Sequence, residues 1–240
     1  MIKFFRHIRQ NLLMENKTGK YFKYAIGEIV LVVIGILIAL SLNNWNEDRK
    51  EYIIRNSYLT RLLNDHIRDN ENLEGLIRDR KEYIERFETY IKYYETANYS
   101  GLRSLDSAFI IEKDLHRYLP VDITYQELIN TGNIRLIIEE LRISLAELAS
   151  EKKVSVIINN SNVEDIKAQH REFKKYWDSP QSFYEKLNSS ENENGVISGL
   201  RLRHNVLKTH YEWAKLMTTI YGGHMVRNKQ IIDQIGLPLK

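Results

Sequence analysis

Apolar residues are concentrated in one uninterrupted stretch near the N-terminus, and elsewhere they recur at helical spacing. Residues 25–42 read AIGEIVLVVIGILIALSL, in which 12 of 18 residues are Ile, Leu or Val and only Glu28 is charged. A helix of this length would extend about 27 Å at about 1.5 Å per residue, which matches the hydrocarbon core of a bilayer. The pattern therefore predicts a transmembrane helix over residues 25–42.

Two other interpretations of this stretch are a buried core helix and a cleaved signal peptide. A core helix does not usually contain 18 apolar positions with a single charge. No good small-x-small cleavage site follows the stretch, since Leu40, Leu42 and Asn44 lie where small residues would be needed. Tyr21, Tyr24 and Trp45 flank the stretch as aromatic residues do at membrane interfaces. We interpret it as an uncleaved signal-anchor.

The distribution of basic residues predicts the orientation of this helix. Six basic residues precede it, and four lie in the 20 residues after it. Cytoplasmic flanks carry the excess of Lys and Arg, so we expect the N-terminus in the cytoplasm and the C-terminal part in the periplasm of a bacterial inner membrane. Residues 1–24 form a basic amphipathic segment that either lies on the anionic leaflet or only sets the orientation. Its basic residues are Lys3, Arg6, Arg9, Lys17, Lys20 and Lys23.

One face of the predicted transmembrane helix is suited to self-association. Glu28, Val32, Gly35 and Ala39 lie on one stripe, and Gly35 and Ala39 form a small-xxx-small pair that permits close helix packing. Glu28 could form a hydrogen bond within a helix pair, or it could reach the headgroups or Lys23. The lipid bilayer and a second copy of the chain are therefore expected partners.

Residues 43–240 have helical periodicity and almost no strand alternation, and they form the predicted extracytoplasmic domain. A first helix should begin near Asn46 and end before Asn98. Its expected core seam has the 4-3 spacing of a coiled coil, with polar residues at three steps. The seam consists of Leu59, Leu63, His66, Asn70, Leu73, Ile77, Arg80, Ile84, Phe87, Ile91 and Tyr94.

Start and stop signals divide the rest of this domain into further helices. A short helix is expected at 105–118, and a second should begin with a capping box formed by Thr124 and Glu127 and end at Gly132 as C-cap. Long helices are expected at about 134–177, with Leu141, Leu145, Leu148, Val154 and Ile157 on the apolar face, and at about 197–235. The predicted fold is all-α, with one transmembrane helix followed by an elongated antiparallel helical bundle.

Composition and charge restrict the function more than they define it. The 240 residues carry a net charge of +3, and residues 1–24 alone contribute +5, so the rest is nearly neutral and no nucleic-acid partner is expected. There is no Cys, and the seven His form neither HExxH nor Glu-x-x-His. No catalytic residue, metal site or cofactor is predicted, and we expect a protein that is not an enzyme.

Aromatic residues are concentrated near two predicted helix ends, where they could edge a pocket or simply pack in the core and at its rim. Tyr83, Tyr90, Tyr93, Tyr94 and Tyr99 form one group. The other group consists of Tyr176, Trp177, Phe183 and Tyr184.

Two segments resemble one known family. The opening 50 residues, especially KYAIGEIVLVVIGILIAL followed by NNWNE, and the segment TYQELINTGNIRLIIEELRISLAEL at 124–148 carry the likeness. They resemble a family of uncharacterised single-pass membrane proteins common in Bacteroidetes-type bacteria. The resemblance implies membrane anchoring and a helical exported domain, and it implies no activity.

These observations lead to two hypotheses for the function. The first is a binding or scaffold protein that presents its helical domain to an unknown protein or other component of the cell envelope. The second is a sensor whose helical domain binds a ligand. Because only about 24 residues would face the cytoplasm, such a sensor would have to signal through a partner protein.

Overall fold

The structure, a computed structural model, is all-α throughout the part of the chain that it describes. The described residues are 18–96, 117–176 and 193–236. They form four α-helices: α1 (Thr18–Thr96), α2 (Ile123–Asn130), α3 (Glu139–Tyr176) and α4 (Glu193–Gly236). A short 3₁₀-helix, Asn133–Leu136, lies between α2 and α3. The prediction of an all-α fold of packed helices is confirmed.

Helix α1 is longer than expected and contains the whole apolar stretch. The separate start predicted near Asn46 is wrong, because α1 continues through this position without a break. The reason is local, since residues 36–74 contain neither Gly nor Pro to interrupt the helix. In the part from Ala25 to Thr96, the most apolar 18-residue window has a mean hydropathy of 2.7 and none of it is buried. By length and composition this helix could cross a membrane.

The chain divides into two compact units, residues 1–57 and 58–240. In the second unit, α4 runs antiparallel to α3. Gln234 Nε2 near the end of α4 donates to Ser144 Oγ near the start of α3, at 3.2 Å. Towards the other ends of the two helices, Gln169 Nε2 donates to Thr209 Oγ1, also at 3.2 Å.

The core of the second unit consists of two apolar clusters placed one after the other along the helices. The lower cluster joins residues 58–62 of α1 to residues 141–148 of α3 and to Ile231 of α4. The upper cluster joins residues 73–90 of α1 to Ile166 of α3 and to the part of α4 before Tyr221. Helices α1 and α3 therefore run in the same direction, and α4 runs against both.

The buried seam of α1 agrees with the predicted seam at only every second step. The shared positions are Leu59, His66, Arg80 and Phe87, together with Leu73. At the alternate steps the buried residue lies one position earlier than predicted, because α1 packs against two helices and thus buries a wider face. These residues are Leu62, Asp69, Leu76, Tyr83 and Tyr90, where Leu63, Asn70, Ile77, Ile84 and Ile91 were expected.

Helix α3 buries apolar residues over its first part and polar residues further on. Leu141, Leu145 and Leu148 are buried as predicted. The prediction for Val154 and Ile157 is wrong, because these side chains are 52% and 59% exposed. In their place α3 turns three polar residues inwards: Lys152, Ser155 and Asn159.

The N-terminus of α2 is not closed by the expected capping box. The N-cap residue is Asp122, which makes no side-chain cap hydrogen bond, and Thr124 lies inside the helix. The Asp65 carboxylate of α1 accepts the Thr124 N–H at 2.9 Å instead. Glu127 is not available to a capping box, because it forms an ion pair with Arg61 of α1. The box was a local prediction, and packing against α1 replaced it.

Gly132 lies one residue beyond Thr131, the C-cap of α2, with a φ of 72°. This left-handed conformation is disfavoured for residues with a Cβ atom. The helix predicted at 105–118 lies largely outside the described residues.

Candidate functional site

A layer of buried polar side chains separates the two apolar clusters. Its centre is an ion pair between Asp69 of α1 and Lys152 of α3, with 2.7 Å between Oδ2 and Nζ. The two side chains are 0% and 4% exposed. An isolated buried charge is very unfavourable, so a pair in this position must be held by further hydrogen bonds.

The Asp69 carboxylate receives those bonds from three directions. The Tyr118 hydroxyl donates to it at 3.0 and 3.1 Å, the Val121 N–H donates at 3.0 Å, and Asn228 Nδ2 of α4 donates at 2.8 Å. Burial by itself raises the pKa of Asp69, but the Lys152 ammonium and these donors outweigh it and hold the pKa below its ordinary value. Asp69 is therefore ionised at neutral pH.

Asn228 connects the ion pair to His66. Its Oδ1 accepts from Lys152 Nζ at 3.1 Å and lies 2.9 Å from His66 Nδ1. Since this amide oxygen can only accept, His66 carries a proton on Nδ1. Burial lowers the pKa of His66, and the nearby Lys152 charge lowers it further. His66 is thus neutral in the folded protein at neutral pH.

A second histidine joins the layer from α4. His224 Nε2 lies 3.2 Å from Ser155 Oγ, and the Ser155 hydroxyl donates to the Lys152 carbonyl oxygen at 2.8 Å. The histidine must therefore be the donor, with its proton on Nε2. Burial and the Lys152 charge lower the pKa of His224 as well. The Ser155 hydroxyl proton is used by a carbonyl and the side chain is buried, so this Ser–His contact is not arranged as a nucleophile with its base.

Arg80 lies one layer above, fully buried in the upper cluster. Its guanidinium stacks over the rings of Trp213 at 5.1 Å and Tyr221 at 4.8 Å, and Nη1 donates to the Leu76 carbonyl oxygen at 3.1 Å. Burial lowers the pKa of Arg80 and raises that of Tyr221 to about 12. The cation is stabilised by aromatic faces within the helical core.

An open groove of about 620 Å³ runs between α3 and α4 beside the polar layer. His224 and Ser155 reach it from the layer, and Val154, Ile220 and Gly223 form part of its wall. Its edge is charged, since Arg227 forms ion pairs with Glu147 at 3.3 Å and Glu151 at 3.0 Å. The groove brings solvent close to the polar layer. Among the described residues, no group of three or more His, Asp or Glu is placed to hold a metal ion.

The residues predicted for helix association lie in the first unit, on α1. Val32 is 54% exposed, and a Cβ atom at Gly35 would meet no atom within 4 Å. Glu28 is half-buried and Ala39 is exposed. The stripe therefore exists as a continuous surface of one helix.

The predicted basic segment lies mostly outside the described residues. This applies to Lys3, Arg6, Arg9 and Lys17, while Lys20 and Lys23 belong to α1. The Lys23 side chain is exposed.

The first aromatic group contributes to the core. Tyr83 and Tyr90 are buried in the upper cluster, and Tyr94 stacks on His204 of α4 with 4.1 Å between ring centroids. Tyr93 is 44% exposed, and Tyr99 lies outside the described residues. The side chains of the second group, Tyr176 to Tyr184, also lie outside them.

Sequence reasoning identified His66 as a polar step of the seam but missed the residues that surround it. Asp69 was missed because the seam was placed at Asn70, and Lys152 because Val154 was placed in the core. A usable signal was present, since Lys152, Ser155 and Asn159 follow Leu141, Leu145 and Leu148 at the same 4-3 spacing.

Comparison with known proteins finds one related family. No curated protein and no solved structure matches the chain. A family model matches residues 28–198, which include most of α1, the whole of α2 and α3, and hence Asp69 and Lys152. Since the match covers well over half of the 240 residues, the chain belongs to the family of unknown function DUF6090.

Proposed function

We propose that this protein is a single-pass protein of the bacterial inner membrane that presents a helical domain to the periplasm. Its role would be to bind or organise another component of the cell envelope, without catalytic activity of its own. The proposal combines the apolar part of α1 with a second unit that has its own core.

The observation that carries the proposal is the complete exposure of the most apolar part of α1. A soluble protein buries such a stretch, yet none of this window is buried here. Each aliphatic residue near a bilayer centre contributes about −0.3 to −0.6 kcal/mol, so 12 of them outweigh the cost of about 3 kcal/mol for one acid at the centre. A bilayer is thus the environment in which this surface is stable.

The orientation is supported by the six basic residues before the stretch against four in the next 20. It is also supported by the resemblance of the opening 50 residues to single-pass proteins of Bacteroidetes-type bacteria. Self-association through Glu28, Val32, Gly35 and Ala39 is part of the proposal, because Gly35 and Ala39 leave space for a second helix.

A sensor is the second candidate, and the groove between α3 and α4 favours it. A cavity of about 620 Å³ that reaches two buried residues, His224 and Ser155, is of a size that holds a small ligand. A ligand-dependent rise in melting temperature would favour the sensor, whereas a defined cross-linked envelope partner would favour the scaffold.

The test of the anchor is fractionation of cells that express the full chain. We expect the intact, uncleaved polypeptide to sediment with membranes and to resist alkaline carbonate extraction. A reporter enzyme that is active only outside the cytoplasm should work when fused after residue 60. Recovery of the chain in the supernatant of a detergent-free lysate would refute membrane anchoring, and an inactive reporter would refute the orientation.

A further inference from the structure

We propose that the buried polar layer is a proton-binding site, through which acidification weakens the packing of α1 against α3 and α4. The ligand in this inference is the proton, and its acceptors are His66 and His224. The inference concerns the second unit alone and does not depend on the side of the membrane on which that unit lies.

The charge of the layer is balanced only while both histidines are neutral. Asp69 and Lys152 cancel each other, so a proton on either histidine adds an uncompensated positive charge in a region shielded from water. Each element that packs here contributes titratable groups: Asp65, His66 and Asp69 from α1, Glu151 and Lys152 from α3, Tyr118 from the segment before α2, and His224 from α4. Asp69 is the fully buried acid of this set and is already paired with Lys152.

Hydrogen bonding within the layer also disfavours a second proton on either ring. His66 already donates through Nδ1 and His224 through Nε2, so the added proton would go to the other nitrogen of each ring. The neighbouring acceptors are occupied, since Asn228 Oδ1 faces both Lys152 and His66. Both Asp69 oxygens likewise accept from protein donors. The new N–H group would lack a partner unless the helices separate.

The direction of the pH effect follows from the lowered pKa values of both histidines. In the unfolded chain a histidine titrates near 6.5, so below this pH the unfolded state binds more protons than the folded state. The contribution of the layer to stability is fully present above about pH 6.5 and is lost as the pH falls towards the folded-state pKa. The groove beside His224 gives protons a short path to the layer.

The experiment compares the melting temperature of the full chain in detergent micelles between pH 7.5 and 5.0. The test variant is His66→Asn with His224→Gln, because the Asn amide can replace the Nδ1 donor and the Gln amide the Nε2 donor without titrating. The matched control is His210→Gln, which removes a histidine of α4 that packs on Tyr83 instead. For the wild type and the control we expect a fall of about 3 °C or more over this range, and for the double variant a fall of less than half of that.

An equal fall in a folded double variant, or no fall in the wild type, would overturn the proposal. If the double variant does not fold, the decisive measurement is an NMR titration of the imidazole carbons of His66 and His224 in the wild type. Midpoints below 6.5 accompanied by loss of native signals support the proposal. Midpoints at or above 6.5 overturn it.

Discussion

At the scale of single residues, the Asp69–Lys152 pair determines how much the interior depends on charge. A buried pair has a large desolvation cost, and the hydrogen bonds from Tyr118, Val121 and Asn228 offset much of it. Such a pair contributes little compared with apolar residues of equal size. Its loss on one side only is costly, because it leaves the other charge buried without its partner.

Replacing Asp69 by Asn should therefore destabilise the protein by about 3–5 kcal/mol, since the Lys152 ammonium loses its counter-charge. The double variant Asp69→Leu with Lys152→Met should lose less than this single variant. Glu151→Gln is the matched control, because Glu151 and its partner Arg227 are both 41% exposed at the side chain and exposed pairs contribute under about 1 kcal/mol. Urea unfolding followed by circular dichroism in mild detergent measures all three. Equal losses for Asp69→Asn and Glu151→Gln would contradict the assignment.

Two glycines should respond in opposite ways to the same substitution. Gly132→Ala should destabilise by about 1 kcal/mol, because the φ of 72° strains any residue with a Cβ atom. Gly223→Ala should stabilise by about 0.5–1 kcal/mol, because Gly223 lies inside α4 and an added methyl group meets no atom within 4 Å. Thermal unfolding of both variants measures the difference. The same sign for both would show that one of these two backbone descriptions is incorrect.

At the scale of elements, α1 has two environments within one uninterrupted helix. Its N-terminal part is apolar and exposed, and its part from Tyr58 onward buries a seam in the bundle. A single helix can carry both because helical hydrogen bonds are satisfied within the segment in lipid as in water. The change from one environment to the other is made by side chains and needs no break in the backbone.

The association stripe on α1 can be tested with one leucine. Gly35→Leu should reduce self-association at least about fivefold, equivalent to about 1 kcal/mol, because the new side chain prevents close helix approach. Val33→Leu is the control, since it enlarges a residue of the same helix about 160° away from Gly35. Energy transfer between labelled full-length chains in lipid vesicles measures both. A similar loss in both variants would mean that this stripe is not the interface, and no self-association in the wild type would remove the proposal.

At the scale of the whole molecule, the second unit contains a complete set of interior contacts. Both apolar clusters and the polar layer lie between residues 58 and 236. The apolar surface of α1 before Ser57 belongs to the first unit. Stability and location are thus assigned to different parts of the chain.

Residues 58–240 produced alone should therefore fold and remain soluble. We expect a cooperative thermal transition by circular dichroism and recovery of the fragment in the supernatant, because the exposed apolar stretch is absent. The full chain, prepared in parallel, should be recovered with membranes. A fragment without a cooperative transition would show that the first unit is needed for folding.

The sequence alone determined the elements whose cause is local. The apolar stretch at 25–42, the boundaries of α3 and α4 to within a few residues, and the position of Gly132 at the end of α2 follow from composition, periodicity and turn chemistry. These properties depend on neighbours within one or two helical turns.

The tertiary structure decided which polar residues are buried and what completes them. Asp69 and Lys152 are 83 positions apart, and no local pattern pairs one with the other. The capping box at Thr124 and Glu127 failed for the same reason, since Asp65 and Arg61 of α1 offered competing partners. Helical periodicity specifies a face only to within about one residue, and packing against two helices instead of one selected Asp69 over Asn70.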